Sequence, residues 1–257
     1  MGMPRFYIPP ERWNLDSLAL DEPEAHHCQD VMRMKEGDRV AVFNGRGHEA
    51  TAEVATLAKG RVTLKVLLEA KTPPPAAQLV LGQAIPKGKN MDVITEKATE
   101  LGAAGIIPLI SERTIVRLSA DEARDRREKW ERVAIEAAKQ CGRNWLPQVR
   151  QPLTLKALFD AGEKFDLMLV ASLQPDARHL KTVLREMAGD RPMPFGQRVK
   201  SVLVLVGPEG DFTPAEVALA KSAGCQPITL GPIILRTETA AIYCLSVLSH
   251  ELFAPAN

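Results

Sequence analysis

Apolar and polar residues alternate along the first part of the chain with the two-residue period of a β-strand. The pattern is clearest in DRVAVFNG (38–45), HEATAEVATL (48–57) and RVTLKVLLEA (61–70), and it predicts three strands. The turn NGRG at 44–47 favours a hairpin, because asparagine and glycine tolerate positive φ angles. We therefore predict that residues 1–72 form a small β-rich domain with a barrel-like shape.

A proline-rich segment, KTPPPAAQ at 71–78, marks the predicted domain boundary. Consecutive prolines are excluded from helix interiors and central strands, and they form a stiff, extended spacer. The pattern on the far side of this segment is different, so we place a second domain at residues 73–257.

In the second domain, short apolar runs alternate with segments that have the period of a helix. The runs that predict strands are LVLGQAI (79–85), GIIPLI (105–110), FDLMLVAS (165–172), SVLVLV (201–206) and PITL (227–230). Helices are predicted at 90–102, 119–142, near 178–187, from 213 and at 237–252. Alternating strands and helices indicate an α/β fold with a parallel sheet covered on both faces.

Composition and charge narrow the class of protein further. The 257 residues are 45% hydrophobic and 25% charged, with a formal net charge of +1, as in an ordinary globular protein. The apolar runs are too short to cross a bilayer, and MGMPRFYIPP lacks the apolar core of a secretory signal. Four widely spaced cysteines form no CxxC pair. We expect a cytoplasmic protein without disulfides or a metal site.

A glycine-rich turn, GPEG at 207–210, directly follows the predicted strand at 201–206. In open α/β sheets, ligands bind outside the carboxyl ends of the strands. Gly207 and Gly210 permit a sharp turn and a close approach of ligand to backbone. Thr213, Pro214 and Glu216 then have the residue types that begin a helix. A tight turn without any ligand is the alternative interpretation.

A second strand end with similar features occurs in LGPIILRTETAA, at 230–241. Two such loops in successive βα units can form two walls of one pocket. Backbone polar groups and apolar side chains there suit a neutral or cationic ligand with an adenine ring. The chain contains neither GxxxxGK[ST] nor a GxGxxG after a strand, so the common phosphate-binding motifs are absent from the sequence.

The pair LVGPEGDFT (205–213) and LGPIILRTETA (230–240) resembles the SPOUT superfamily of S-adenosylmethionine-dependent RNA methyltransferases. Within it, the chain is similar to the ribosomal RNA small subunit methyltransferase E family. HHCQDVMRMKEGDRVAVFNGRG (26–47) resembles the PUA-like N-terminal domain of that family. PKGKNMDVITEKATELG (86–102), SERT (111–114) and AAKQCGRNWLP (137–147) resemble its middle signatures. The chain departs from the family at Asp211, where we expect glycine, and we expect this acid to leave cofactor binding intact.

The resemblance implies a C-terminal trefoil knot, a homodimer, and methylation of uridine N3 in 16S ribosomal RNA of the small subunit. It also implies that S-adenosylmethionine is held by three loops. The implied cofactor-binding residues are Ser172, Leu173, Leu205, Val206, Gly207, Pro208, Glu209, Gly210, Leu230, Gly231, Ile234, Leu235, Arg236 and Thr239.

Uridine N3 carries a proton and is a poor nucleophile until that proton leaves. The reaction needs a general base, or a cation that stabilises the developing anion. Arg236 is the candidate cation, although it could instead form a helix-start ion pair with Glu209 or Glu238. These two glutamates are the candidate bases, and each could equally serve only to shape its loop by bonding backbone N–H groups.

RNA binding requires basic residues outside the pocket, because Lys and Arg neutralise phosphates. The candidates are Arg5, Arg33, Arg46, Lys87, Lys97, Arg113 and Arg143. His26 and His27 lack companion ligands at metal spacing, so we interpret them as helix residues or RNA contacts. Two other functions stay open: a non-catalytic RNA-binding ribosome-assembly factor, and an α/β enzyme that uses another adenine-bearing ligand.

Overall fold

The computed structural model describes residues 3–114, 118–188 and 195–253. The Cα positions divide the chain into two compact units. One comprises residues 1–74 together with 135–146, and the other comprises residues 75–134 and 147–257. Each unit has its own sheet and its own hydrophobic core.

The first unit contains a five-stranded sheet in the order β1-β3-β4-β5-β2. The strands are β1 (Arg5–Tyr7), β2 (Ala19–Asp21), β3 (Arg39–Phe43), β4 (His48–Ala58) and β5 (Arg61–Lys71). β1 pairs with β3 in parallel, and the other pairs are antiparallel. β3, β4 and β5 are the three strands that the alternation predicts. Their inward residues, among them Val40, Val42 and Val54, pack into a buried cluster.

Residues 135–146 belong to the first unit because the loop after α3 (Ala120–Cys141) bonds to its sheet and to the segment after β5. Trp145 Nε1 donates to the Thr72 carbonyl at 3.1 Å, and Asn144 Nδ2 donates to Thr72 Oγ1 at 2.9 Å. Leu146 N also donates to the Gly45 carbonyl, in the predicted hairpin turn. Residues 137–146 of the AAKQCGRNWLP signature therefore belong to the first unit in space, although they are far from residues 1–74 in sequence.

A charged cluster lies under α1 (Glu24–His26) in this unit. The buried Lys139 ammonium donates to Glu24 at 3.0 Å and to Glu136 at 2.9 Å, and it lies 3.2 Å from His27 Nδ1. Because an ammonium can only donate, His27 Nδ1 accepts here and the ring is neutral. Burial, together with the charge of Lys139, lowers the pKa of His27, whereas burial raises the pKa of Glu24.

The second unit contains an all-parallel sheet in the order β11-β13-β10-β12-β6-β7-β8, with β9 also paired to β7. Its strands are β6 (Gln78–Ala84), β7 (Gly105–Ile110), β8 (Gln148–Val149), β9 (Leu153–Thr154), β10 (Leu167–Ala171), β11 (Arg178–His179), β12 (Ser201–Val206) and β13 (Gln226–Thr229). Its helices other than α3 are α2 (Asn90–Glu100), α4 (Leu155–Asp160), α5 (Leu180–Ala188), α6 (Phe195–Arg198), α7 (Pro214–Ser222) and α8 (Thr237–Phe253).

The central strand β12 shows why this sheet needs helices on both faces. Val202, Val204 and Val206 point into a core shared with α2, α5 and α8, whereas Leu203 and Leu205 point into a second core shared with α4 and α7. Burying each such side chain stabilises the fold by ~1.5–3 kcal/mol. The continuous apolar run in the sequence is therefore a strand buried on both sides, as predicted.

The predicted α/β fold with a small β domain is thus confirmed. The predicted capping box also begins α3, because Ser119 N donates to Glu122 Oε2 at 2.8 Å and Glu122 N donates to Ser119 Oγ. No helix among the described residues is long and apolar enough to span a membrane. Since all strands of the second sheet run in parallel, the loops that follow β6, β10, β12 and β13 meet at one edge.

Candidate functional site

A pocket of about 480 Å³ lies at this edge of the second sheet. It is built from the loops after β10, β12 and β13 and from the first residues of α2 and α8. Its lining consists of Asn90, Ala171, Ser172, Leu173, Val206, Gly207, Pro208, Glu209, Asp211, Ile228, Thr229, Leu230, Ile233, Ile234, Leu235, Arg236, Thr237, Glu238 and Ala240.

Most of the residues selected from the sequence therefore come together. All three candidate catalytic residues line the pocket, and so do the candidate cofactor residues except four, which are Leu205, Gly210, Gly231 and Thr239. Leu205 is fully buried on the other side of the sheet, in the core shared with α7. The alternation along β12 separates it from Val206, which does line the pocket.

The GPEG loop turns back on itself and requires glycine at its first position. A Cβ on Gly207 would lie 2.9 Å from Phe212 N and 3.2 Å from the Asp211 backbone, closer than a side chain allows. Thr213 then begins α7 with a full capping box, since its side chain accepts from Glu216 N and Glu216 accepts from Thr213 N. The loop is therefore held in one shape between a strand and a helix.

Acidic side chains fasten this loop to its neighbours. Glu209 Oε1 accepts from Lys87 N at 2.9 Å, in the segment after β6. The buried Glu216 accepts from Glu112 N at 2.9 Å, in the segment after β7, and Arg113 donates to the Gly210 carbonyl. Glu209 therefore makes the kind of backbone contact that shapes a loop, which was one of the two roles the sequence allowed for it.

Asp211 makes a similar connection in a different direction. Its backbone has φ +61°, in the left-handed region. One carboxylate oxygen accepts from Leu173 N at 3.0 Å, in the loop after β10, and the other accepts from Phe212 N at 2.8 Å. Asp211, where the resemblance leads us to expect glycine, thus bonds to another wall of the pocket.

The second glycine-proline loop is joined to the first through Thr237. The buried Thr237 hydroxyl donates to the Gly207 carbonyl at 2.6 Å and accepts from Gln83 Nε2 at 3.0 Å. Gln83 is fully buried in β6, and its Nε2 also donates to the Ala84 carbonyl at 2.8 Å. Gln83 is not among the sequence-predicted site residues, because a polar residue inside a strand belongs to no loop motif. Thr237 lies within the LGPIILRTETA motif, but it is not among the candidate cofactor-binding or catalytic residues.

Arg236 and Glu238 are the residues directly before and after Thr237 in the sequence. The Arg236 side chain is exposed, and within the described part of the chain no carboxylate lies within ion-pairing distance of its guanidinium. The helix-start ion pair with Glu209 or Glu238 is therefore not formed. Glu238 is half-buried, and its side chain accepts a single long bond among the described residues, 3.4 Å from Asn90 Nδ2 to Oε2.

Large aliphatic side chains remain uncovered around the pocket. Leu173 is 59% exposed, Ile233 is 71% exposed and Ile234 is 79% exposed. Apolar exposure on this scale, gathered at one concave site, is typical of a surface that a ligand or partner covers.

The candidate RNA-binding residues fall into two groups. Arg33, Arg46, Lys87 and Arg113 are exposed. Arg5 instead pairs with Glu49 and donates to Asn144 Oδ1 at 2.7 Å, and Lys97 bridges Glu96 and Glu100. Arg143 is half-buried, and burial lowers its pKa.

The two histidines that raised the question of a metal have other partners. His26 Nδ1 lies 2.7 Å from Asp30 Oδ2, and His27 belongs to the cluster around Lys139. Across residues 3–114, 118–188 and 195–253, no three His, Cys, Asp or Glu side chains are grouped as a metal site would require.

Comparison with known proteins gives a consistent result over nearly the whole chain. Residues 72–249 match the model of an RNA methyltransferase domain, and residues 20–67 match that of an RNA methyltransferase PUA domain. The chain is 31% identical over 255 residues to ribosomal RNA small subunit methyltransferase E of Bacillus subtilis, covering 97% of each chain. It is 30% identical to the enzyme of the same name from Aquifex aeolicus, covering 95% of this chain and 98% of the other.

Two solved structures are similar to it in fold as well. One is a ribosomal RNA small subunit methyltransferase E from Neisseria gonorrhoeae bound to S-adenosylmethionine, with a TM-score of 0.81 and 31% identity, covering 97% of this chain and 98% of the other. The other is a Legionella pneumophila protein in complex with the same cofactor, with a TM-score of 0.84 and 32% identity, covering 96% and 97%.

Proposed function

The chain belongs to the ribosomal RNA small subunit methyltransferase E family, and on that premise we propose that it methylates N3 of a uridine in 16S ribosomal RNA. It is an rRNA methyltransferase, and its cofactor is S-adenosylmethionine. The observation that carries the finer proposal is the pocket at the strand ends, which is lined by the Arg236 guanidinium, without a carboxylate partner among the described residues, and by the weakly bonded Glu238 carboxylate.

The residues of the pocket fit this cofactor. Three acidic residues (Glu209, Asp211 and Glu238) and one basic residue (Arg236) line it, a balance that favours a cationic ligand. The exposed side chains of Leu173, Ile233 and Ile234 offer apolar surface for an adenine ring. When bound, S-adenosylmethionine supplies an electrophilic methyl group on a positively charged sulfur.

Arg236 is the residue we assign to charge stabilisation. Removal of the N3 proton spreads negative charge over N3 and the neighbouring carbonyl oxygens of the uracil ring. A guanidinium can present two donors to such an edge, and Arg236 is not already committed to a carboxylate among the described residues. Preorganised donors at a developing negative charge are usually the largest single contribution to catalysis.

Glu238 is the better of the two candidate bases. Glu209 accepts a 2.9 Å bond from Lys87 N, and protonating it would weaken the link between two loops. Within the described part of the chain Glu238 accepts only the long bond from Asn90, so its carboxylate retains most of its capacity to accept a proton. We therefore assign proton acceptance to Glu238 and loop positioning to Glu209.

The substrate uridine must be single-stranded or flipped out, because N3 is occupied in a base pair. We propose that the first unit contributes RNA affinity, with Arg33 and Arg46 on its surface, and that Lys87 and Arg113 beside the pocket contact phosphates. Affinity would then fall steeply with salt. We also propose a homodimer, a C-terminal trefoil knot around the two glycine-proline loops, and a cytoplasmic location, where ribosomal subunits are assembled.

A methyl-transfer assay tests this function. Small ribosomal subunits from a strain that lacks this protein are incubated with the enzyme and labelled S-adenosylmethionine, and the RNA is digested for nucleoside analysis. Label in N3-methyluridine supports cofactor, substrate and atom together. Label in another nucleoside would refute the assigned atom. Cofactor binding without any transfer, to free RNA or to subunits, would favour the non-catalytic assembly factor.

A further inference from the structure

We propose that Asp211 is a positioning residue, whose carboxylate fastens the loop after β10 to the loop after β12 and thereby fixes the shape of the cofactor pocket. The inference rests on the proposed function, since it concerns the same pocket. It assigns a role to the position at which this chain carries an acid where the family pattern leads us to expect glycine.

The contact to Leu173 carries the inference. Leu173 N lies 3.0 Å from Asp211 Oδ2, and the two residues are separated by 38 positions in the chain. The adjacent N–H groups of that loop are satisfied elsewhere: Ser172 N donates to the Ile228 carbonyl at 2.9 Å, and Gln174 N donates to Ser172 Oγ at 3.1 Å. Asp211 therefore completes the hydrogen bonding of the loop where it meets the pocket.

The backbone of Asp211 gives a second, independent argument. Its φ of +61° is a conformation that glycine adopts freely and that most other residues avoid. Aspartate tolerates it better than most, but glycine would still be the less strained choice. Strain that persists in a pocket is a reason to look for what the side chain does there.

The Asp211 backbone also packs against Gly207, and Gly207 lines the pocket. The Asp211 backbone lies 3.2 Å from where a Cβ on Gly207 would stand. A shift of residue 211 would therefore move against residue 207, which lines the pocket beside Pro208. Residue 211 thus connects three segments: its carboxylate bonds to Leu173 on one wall and to Phe212 ahead of α7, and its backbone packs against the Gly207 turn.

Three substitutions separate the carboxylate's contact from the backbone strain. Asp211→Gly relieves the strain and removes both acceptors, Asp211→Ala keeps the strain and removes both acceptors, and Asp211→Asn tolerates the conformation and keeps one acceptor oxygen. Asp125→Asn is the matched control, because Asp125 is an exposed carboxylate on α3. The measurements are calorimetric dissociation constants for S-adenosylmethionine and S-adenosylhomocysteine, with thermal unfolding of each ligand-free variant.

If Asp211 positions the loops, Asp211→Gly raises both dissociation constants by roughly tenfold, because binding must then order a loop that the carboxylate no longer holds. Asp211→Asn raises them less, and the control leaves them unchanged. Thermal stability follows a different order: glycine relieves the backbone strain and offsets part of the lost bond, whereas alanine keeps the strain and is the less stable of the two variants. Affinity and stability therefore separate, which a purely structural role would not produce.

Unchanged affinity in Asp211→Gly would overturn the inference while leaving the proposed function intact. A loss confined to S-adenosylmethionine, with S-adenosylhomocysteine unaffected, would also overturn it, because the carboxylate would then be a direct ligand of the sulfonium. If wild-type protein bound neither compound, the proposed function itself would fail.

Discussion

The hydrogen-bonded link between the two glycine-proline loops predicts a specific response to Thr237→Val. Valine has nearly the shape of threonine but cannot donate to the Gly207 carbonyl or accept from Gln83 Nε2. Both groups are buried, so the substitution leaves one acceptor and one donor without this partner. The Gln83 amide still donates to the Ala84 carbonyl and lies 3.5 Å from the Gly207 carbonyl, so neither group is left entirely without a partner. We therefore expect Thr237→Val to lower the free energy of unfolding by ~1–3 kcal/mol, the cost of about one buried unpaired group.

A double-mutant cycle with Gln83→Met makes this prediction sharper. Gln83 is fully buried, and its Oε1 has no hydrogen-bond partner among the described residues. Replacing the amide by a thioether of similar length removes that unpaired oxygen together with the donor to Thr237. The single Gln83→Met variant should therefore lose little stability. In the double variant there is no buried amide left to lose its hydroxyl partner. The loss of unfolding free energy in the double variant should therefore be smaller than the sum of the two single losses by ~1 kcal/mol.

Urea unfolding of the four proteins, with calorimetric cofactor binding, provides the measurement. Thr237→Ser serves as the control, since it keeps the hydroxyl and loses only a methyl group. We expect the serine variant to bind S-adenosylmethionine like wild type and the valine variant to bind it more weakly, because the Gly207 turn is released. Additive losses in the cycle, or a valine variant as stable as wild type, would refute the assigned link.

Three other predictions follow from the site and from the first unit. Arg236→Ala should lower kcat by roughly 10²–10³-fold while leaving urea unfolding unchanged, and normal turnover would remove the guanidinium from the mechanism. Glu238→Gln should lower kcat, whereas Glu209→Gln should mainly raise the KM for the cofactor; the reverse pattern would exchange their roles. The lowered pKa of His27 adds stability that is present above its ordinary pKa of 6.5 and is lost as pH falls through the lower folded-state value. The melting temperature should therefore fall as the pH is lowered below about 6.5, because protonated His27 would face the Lys139 ammonium. The fall should be smaller in His27→Gln, and an equal dependence of melting temperature on pH in both proteins would contradict this assignment.

The longer elements of the fold could be predicted because their sequences carry a clear period. β3, β4, β5, β6, β7, β10, β12 and β13 all correspond to apolar runs or alternating segments of four residues or more. β1, β2, β8, β9 and β11 have two or three residues each, too few to show any period, and they form because the sheet supplies partners. The assignment of residues 135–146 to the first unit is likewise a long-range effect, which depends on contacts such as that of Trp145 with Thr72.

The residues of the candidate site likewise divide into those that a local sequence pattern indicates and those that depend on long-range contacts. The loops at 207–213 and 230–237 could be located from the sequence, because glycine, proline and capping residues follow buried strands. Gln83 could not, since a single polar residue inside a strand gives no indication of the hydroxyl that it meets in α8. Arg5 is a similar case, because its partner Glu49 is 44 positions away and only the fold brings it close. The pairing of Lys97 with Glu96 and Glu100 is local to α2, and the pair with Glu100 follows the helical spacing in the sequence.

The strand order of the second sheet also has a consequence for how the protein is synthesised. β6 begins at residue 78, yet its neighbour β12 begins at residue 201, and β10 and β13 lie beyond β12. While the ribosome is still translating the intervening segment, β6 has an unpaired edge and an uncovered apolar face, a condition that invites aggregation of nascent chains. Pairings between such distant segments form slowly. If S-adenosylmethionine binds in the pocket where we propose it does, it cannot assist early, because that pocket includes residues as late as Ala240. The rRNA methyltransferase must therefore be almost fully translated before S-adenosylmethionine can stabilise it.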